Sequence, residues 1–258
     1  MPATTSDVPN PQLPVVQRMR VRYAKRGRMR FTSHRDFGRA LERAIRRAGL
    51  PVAYSSGYSP HPRLSYAGAS PTGASSSAEY LEVALTRHCD PAEVRTALDA
   101  ALPAGLDVLE VLVAGDGALA DRLEASEWRI TLSGVSVETA TDAVTALLSR
   151  GEIEVTRMTK KGQRRFDCRA AVVSLEVEPV RSLTSDLEVC AILRLVLRHG
   201  TPSVRPDDVL AGLDEVAGLR PPVPPLLDRV AQGPLVSSSG SVGDPFRSDR
   251  DTSQERSS

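Results

Sequence analysis

The chain has 258 residues, 41% of them hydrophobic and 25% charged, and a net charge of only +1. That composition suits one large or two small globular domains, and no apolar run reaches the ~18–20 residues that span a bilayer. The polar, proline-containing start lacks the apolar stretch of a signal peptide, and three widely separated cysteines exclude a disulfide scaffold, so the expected setting is cytoplasmic.

Residues 1–14 read as a disordered leader. The first module is expected over 15–114. A strand near Val16–Tyr23 opens it. A helix follows from Ser33, whose hydroxyl can cap the backbone, with Asp36 three residues on. Phe37, Ala40, Leu41, Ala44, Ile45 and Ala48 then recur at helical spacing, and Gly49 stands where a left-handed residue ends a helix. After a Ser/Gly/Pro loop, Arg63–Ala67 and Glu79–Thr86 read as strands. Asp90-Pro91-Ala92-Glu93 starts a second helix, with Val94, Ala97, Leu98 and Ala101 as its apolar stripe. Leu106–Val113 is a further strand.

A linker is expected at 115–126 and a second, looser α+β module at 127–218. Its elements are a strand at Glu127–Leu132, a helix at Val137–Leu148, and strands at Glu152–Thr159 and Arg164–Glu178 joined through Lys160-Lys161-Gly162-Gln163. Alternation from Leu187 to Leu197 favours a strand there, although Ser185 and Glu188 would also start a helix. A short helix begins at Arg205-Pro206-Asp207-Asp208 and reaches about Leu213. Residues 219–258 are rich in Pro, then in Ser, Gly and Asp, and read as a disordered tail. Within it PPVPP suits a linker or a polyproline ligand. The expected fold class is α+β: two ferredoxin-like (βαββαβ) modules in tandem, the second imperfect, with disordered termini.

The charge is unevenly spread. Between Val15 and Arg63 thirteen Lys or Arg face two carboxylates, Asp36 and Glu42, which leaves +11. Such concentration in a near-neutral chain suggests a surface for a polyanion. Arg28, Arg30, Arg35, Arg39, Arg43, Arg46 and Arg47 are the candidate phosphate contacts, with Tyr58, His61 and Arg63 in the loop beyond the helix. The plain alternative for the helix is a solvated face with one Glu42–Arg46 pair. One Glu cannot neutralise four Arg, and Arg offers the planar fork that phosphate prefers. Lys160, Lys161, Arg164 and Arg165 form a second cationic site at a hairpin tip, to be weighed against simple protection of a strand edge. Phe31, Tyr54, Tyr58 and Tyr66 are candidates for base stacking, although buried aromatics are the commoner outcome.

Chemistry is less legible. His34 in the first helical turn and His61 between two prolines are the only candidate catalytic residues, as proton carriers or phosphate contacts. Asp36 is better read as a cap partner or an Arg neighbour than as a general base. The cysteines, Cys89, Cys168 and Cys190, have gaps of 79 and 22 residues and suit neither zinc nor an iron–sulfur cluster, so no metal is expected in this chain. No Walker loop, dinucleotide fingerprint, HExxH or GxSxG is present.

Several motifs carry a resemblance. They are Met29-Arg30-Phe31, Ser33-His34-Arg35-Asp36, the run from Arg43 to Val52 and the run from Tyr54 to Arg63, with weaker matches at Glu79-Tyr80-Leu81, Leu195-x-Leu197 and Arg205-Pro206. On them the chain resembles, over roughly residues 15–213, the radical SAM-associated (radical SAM-linked) domain of the DUF2344 family. The resemblance implies an accessory or substrate-handling module that works with a separate radical SAM enzyme, and it carries over no catalytic residue. The 4Fe–4S cluster and S-adenosylmethionine would then sit on that partner, with cobalamin where the partner is of the B12-binding kind. The expected function is therefore a non-catalytic, RNA-binding accessory protein that presents substrate for RNA modification, with no membrane partner. Two alternatives stand beside it. Paired ferredoxin-like modules resemble the architecture of CRISPR repeat-processing endoribonucleases, where His34 would assist metal-independent cleavage, although their C-terminal Gly-rich loop is missing here. The other is a protein-interaction adaptor that binds no RNA.

Overall fold

A computed structural model of the chain describes residues 12–159, 162–179 and 189–255. The fold is mixed α+β and dominated by sheet, with five α-helices among the described residues. It divides into two compact units. One takes the chain up to Thr72, Glu79–Ala120 and the chain from Phe246; the other takes Gly73–Ala78 and Asp121–Pro245.

The first unit runs β1 (Gln17–Lys25), α1 (His34–Arg47), β2 (Leu64–Ala67), β3 (Ser75–Leu85), α2 (Pro91–Ala101) and β4 (Leu106–Val113), the element order read from the sequence. β1 lies between β4 and β3, and β2 pairs with β3. β4 is antiparallel to β1, from Met19 opposite Val113 to Lys25 opposite Leu106. The two-residue period of β1 sends Met19, Val21 and Tyr23 to one face, where they pack with Phe37, Leu41, Ala44 and Ile45 of α1 and Val94 and Leu98 of α2. Fully burying each such large side chain contributes about 1.5–3 kcal/mol. Ser33 caps α1 by accepting the Asp36 N–H at 3.2 Å, and Asp90 caps α2 through the Ala92 and Glu93 N–H groups. Gly49, at φ +63°, follows the end of α1. A 3₁₀ turn at Gly27–Phe31, absent from the sequence reading, precedes that helix.

The same period turns Arg20 to the opposite face of β1. Arg20 is 1% exposed. Its guanidinium reaches Asp249 at 2.6 Å, Glu82 at 2.8 Å and the Gly117 carbonyl. Asp249 belongs to α5 (Arg247–Glu255). It also accepts the Gly115 N–H, and the next residue, Arg250, grips Glu110 through two bonds of 2.8 and 2.7 Å.

The second unit runs β5 (Ala125–Ser133), α3 (Val137–Leu148), β6 (Glu154–Thr159), β7 (Gly162–Asp167), β8 (Val172–Val177), β9 (Cys190–Arg198), α4 (Pro206–Ala217) and β10 (Leu226–Gly233), followed by the short pair β11 (Leu235–Val236) and β12 (Ser241–Val242). The strand order is β10-β5-β9-β8, with antiparallel neighbours throughout. The first residues of β3, Ser75 and Ser76, run parallel to β10 on its other side. β6 and β7 form a separate hairpin. Trp128, Ile130, Leu132, Leu193 and Leu195 of the sheet share a core with Ala140, Val144 and Leu147 of α3 and Val209 and Leu213 of α4.

Two expectations are corrected. Of the expected disordered tail at 219–258, the described residues 219–255 are ordered: Leu226–Gly233 is a sheet strand, Phe246 is fully buried and α5 is anchored by Asp249. Composition misleads here because β10 is held by backbone pairing to β5, and two side chains, Phe246 and Asp249, fix the segment that follows. The single strand expected at Arg164–Glu178 is broken after Asp167. Its carboxylate accepts the Ile153, Arg169 and Ala170 N–H groups and turns the chain through 3₁₀ residues Arg169–Ala171 into β8. Residues 1–11 of the expected leader, Lys160 and Lys161 at the hairpin tip, and Ser185, Leu187 and Glu188 of the ambiguous segment lie outside the described residues. Cys190–Arg198 within that segment is strand.

Candidate nucleic-acid interface

Burial of Phe37, Ala40, Leu41, Ala44 and Ile45 decides which side of α1 faces solvent. His34, Arg35, Arg39, Arg43, Arg46 and Arg47 are left exposed. Arg39 stands 4.0 Å from Asp36, and Arg46 stands 3.9 Å from Glu42 while donating to the Glu42 carbonyl. Exposed helix pairs at such distances contribute a few tenths of a kcal/mol and leave the cations available. Arg47 donates to the Ala101 carbonyl at the end of α2, 3.3 Å away. Arg35 and Arg43 make no ion pair among the described residues. Arg43 and Arg47, one turn apart, line a cavity of about 140 Å³ with Ala40, Ala101 and Pro103.

The 3₁₀ turn ahead of α1 exposes Arg28 and half-buries Arg30, whose guanidinium lies 4.7 Å from the centre of the Phe31 ring. Phe31 is 60% exposed, so much of this cation–π pair faces solvent.

His34 packs edge-on against Tyr66, with ring centres 4.8 Å apart. Tyr66 in turn meets Phe37, which stacks on Tyr23 at 4.6 Å. Burial pushes the Tyr66 phenol up to about 12, with the Glu42 charge adding to it, so the ring is a neutral support at neutral pH. Gly38 lies beside this ring: a β-carbon there would stand in ordinary contact with the Tyr66 hydroxyl, at 3.6 Å. Asp36 accepts the Ser33 hydroxyl at 2.7 Å, the cap-partner role expected for it.

The loop after α1 is a closed hairpin. The Ser55 N–H donates to the His61 carbonyl, the His61 N–H donates to the Ser55 hydroxyl, and the Arg63 N–H donates to the Ala53 carbonyl. Gly57 takes φ +115°, a value for which glycine is suited. The turn holds Tyr58 at the tip, 92% exposed, and leaves His61 and Arg63 exposed on the returning arm. Tyr54 is partly exposed at its base. His34 meets Tyr66 of β2, whereas His61 lies in the hairpin before that strand. The two histidines are thus supported by different parts of this unit.

In the second unit Arg164 and Arg165 are exposed on β7, Arg165 paired with Glu154. Arg157 anchors this hairpin to α4. It lies 2.6 Å from Asp208, donates to the Ser203 carbonyl and covers the Phe166 ring at 4.9 Å. Burial raises the Asp208 carboxyl above its usual range, opposed by the Arg205 N–H and by Arg157. Asp208 thereby explains why an Arg-Pro-Asp-Asp run starts this helix: its carboxylate accepts the Arg205 N–H at 2.7 Å. The Cys168 thiol is buried and pushed up to about 11 by that burial, which makes it an inert packing group. No group of three potential metal ligands occurs among the described residues, and no described helix is long and apolar enough to cross a membrane.

Sequence reading missed Ala101 and Pro103 beside Arg43 and Arg47. The spacing Ala40, Arg43, Arg47 already puts one small and two cationic residues on one strip of α1. Only the fold supplies the end of α2 opposite it.

The family profile described as an uncharacterized protein conserved in bacteria (DUF2344) matches residues 18–206. No curated protein matches the chain. A crystal structure of an unknown protein from Galdieria sulphuraria is similar at 16% identity over 83% of this chain and 98% of that one, with a TM-score of 0.24. A profile that spans most of both units and every motif from Arg28 to Arg63 settles the membership: the chain belongs to the DUF2344 family.

Proposed function

We propose that the chain is an RNA-binding accessory protein that presents its substrate to a separate radical SAM enzyme. The observation that carries the RNA reading is the outer side of α1. Five arginines stand exposed there, and the carboxylates beside them, Asp36 and Glu42, sit at the outer limit of ion pairing. Phosphates would bind along that side, and Phe31 and the Tyr58 hairpin would hold bases or meet the partner enzyme. Arg164 and Arg165, with Lys160 and Lys161, would add backbone contacts from the second unit. The partner class rests on the family resemblance. The partner would supply the cluster and S-adenosylmethionine.

Both units read as ferredoxin-like. Each gives β-α-β-β-α-β with its fourth strand beside the first, the first beside the third and the third beside the second; in the second unit the β6–β7 hairpin is inserted after the first helix. The test is retention of cellular RNA by the full chain over a salt series. Binding should weaken as salt rises, with a log–log slope of about −0.7 per phosphate neutralised on single strands. Retention no better than that of a neutral control protein would refute the RNA reading.

A further inference from the structure

We infer that Arg43 and Arg47 form a discrete seat for one phosphate group of the nucleic-acid chain, an inference that rests on reading α1 as the RNA-contacting helix. The cavity they line holds about 140 Å³. That is room enough for a phosphate group. Its remaining walls, Ala40, Ala101 and Pro103, bring no charged side chain. Two larger cavities differ on this point. One sets Glu152, Glu154 and Glu215 against Arg150 and Arg165, and the other is lined by Glu93 with Ala92, Thr96 and Ala97. Only the cavity beside α1 joins two cations with no carboxylate, among these three.

The arginines are also prepared to different degrees. Arg47 is steadied by the Ala101 carbonyl at 3.3 Å, which orients its fork before any ligand arrives. Arg43 makes no ion pair among the described residues. Guanidinium groups bind phosphate oxygens in pairs, and two such groups around one small cavity favour a single oxyanion over a diffuse backbone track. The phosphate can be an internal phosphodiester or the terminal phosphate of a strand.

Two double variants of the full chain test the seat. R43Q with R47Q empties it, and R35Q with R39Q removes equal charge from the same helix outside it. Thermal unfolding is compared in inorganic phosphate and in chloride at matched ionic strength. Phosphate stabilises proteins generally through exclusion from their surfaces, and that part is common to all three chains. The wild type and R35Q/R39Q should gain an additional rise in midpoint that R43Q/R47Q lacks. Equal rises in all three would overturn the seat. A labelled single-stranded RNA with a 5′-phosphate or a 5′-hydroxyl is then titrated. R43Q/R47Q should weaken binding at least tenfold more than R35Q/R39Q. A 5′-phosphate preference lost only in R43Q/R47Q assigns the seat to a strand end, and equal affinity for the two ends assigns it to an internal phosphodiester. Equal weakening by both double variants would overturn the seat and leave the RNA reading standing. A phosphate effect specific to Arg43 and Arg47 without RNA binding would leave an anion seat and refute the RNA reading.

Discussion

Arg20 and Asp249 lie 229 residues apart in sequence and meet at 2.6 Å, both almost completely buried. Neither is recognisable as a core residue from composition. Arg20 reads as one more member of the cationic segment, and Asp249 sits among serines near the end of the chain. Their pairing withdraws Arg20 from any polyanion surface and ties the last helix to β1. The remaining bonds of the cluster, to Glu82 and to the Gly115 and Gly117 backbone, satisfy the charges that burial strips of water.

Removing one partner should therefore be costly. Asp249→Ala is expected to destabilise the first unit by about 3–5 kcal/mol, because it removes one of the two carboxylates that neutralise a buried guanidinium and leaves Glu82 alone to do so. Urea unfolding of the full chain measures it. A loss below about 1 kcal/mol would mean that the C-terminal segment is not held as described.

Gly233 gives an independent check on the end of β10. A β-carbon there would lie 2.1 Å from the Gly243 carbonyl oxygen, a backbone atom that cannot move alone. Gly233→Ala should cost about 1–3 kcal/mol, the usual penalty of overpacking. Gly151→Ala, with nothing within 4 Å of its added carbon, serves as the control and should shift the unfolding midpoint little.

His199 predicts a pH dependence. Its ring bonds the Leu123 carbonyl at 2.7 Å and the Ser126 hydroxyl at 3.0 Å, and burial lowers its pKa below the ordinary 6.5, helped by the Arg229 charge. The unfolded chain then takes up the proton first. Stability from this group is complete above pH 6.5 and is lost as pH falls from there to the lowered folded value. Comparing urea midpoints of the wild type and His199→Gln between pH 8 and pH 5 isolates the effect. The variant should show a shallower loss on acidification; parallel curves would remove His199 as the cause.

Tyr58 separates binding from stability. Being 92% exposed, it can be lost without disturbing a core. Tyr58→Ala should leave the unfolding midpoint unchanged and weaken RNA binding by about 1–3 kcal/mol if the ring stacks on one base. A large drop in stability would show that the ring is packed in solution, and unchanged binding would remove it from the interface.

The first unit was largely readable because its signals are local. Ser33 and Asp90 cap helices, the apolar positions from Phe37 to Ile45 recur at helical spacing, and Gly49 ends α1. The exposure of Arg35, Arg39, Arg43, Arg46 and Arg47 follows from that same period. What stayed hidden depends on distant partners. No local pattern marks Asp249 as the partner of Arg20, Ala101 as a neighbour of Arg47, or Tyr66 as the support of His34. The strand Leu226–Gly233 escaped notice because prolines precede it and small and polar residues follow, while its stability comes from backbone pairing with Ala125–Thr131.

The most direct test of the central claim is crosslinking of the full chain to cellular RNA across a salt series, with mapping of the crosslinked peptides. The account predicts salt-sensitive recovery of RNA with crosslinks in the peptides that carry Arg28–Arg47 and Tyr54–Arg63. Recovery no greater than that of a neutral control protein, or crosslinks confined to other peptides, would contradict it.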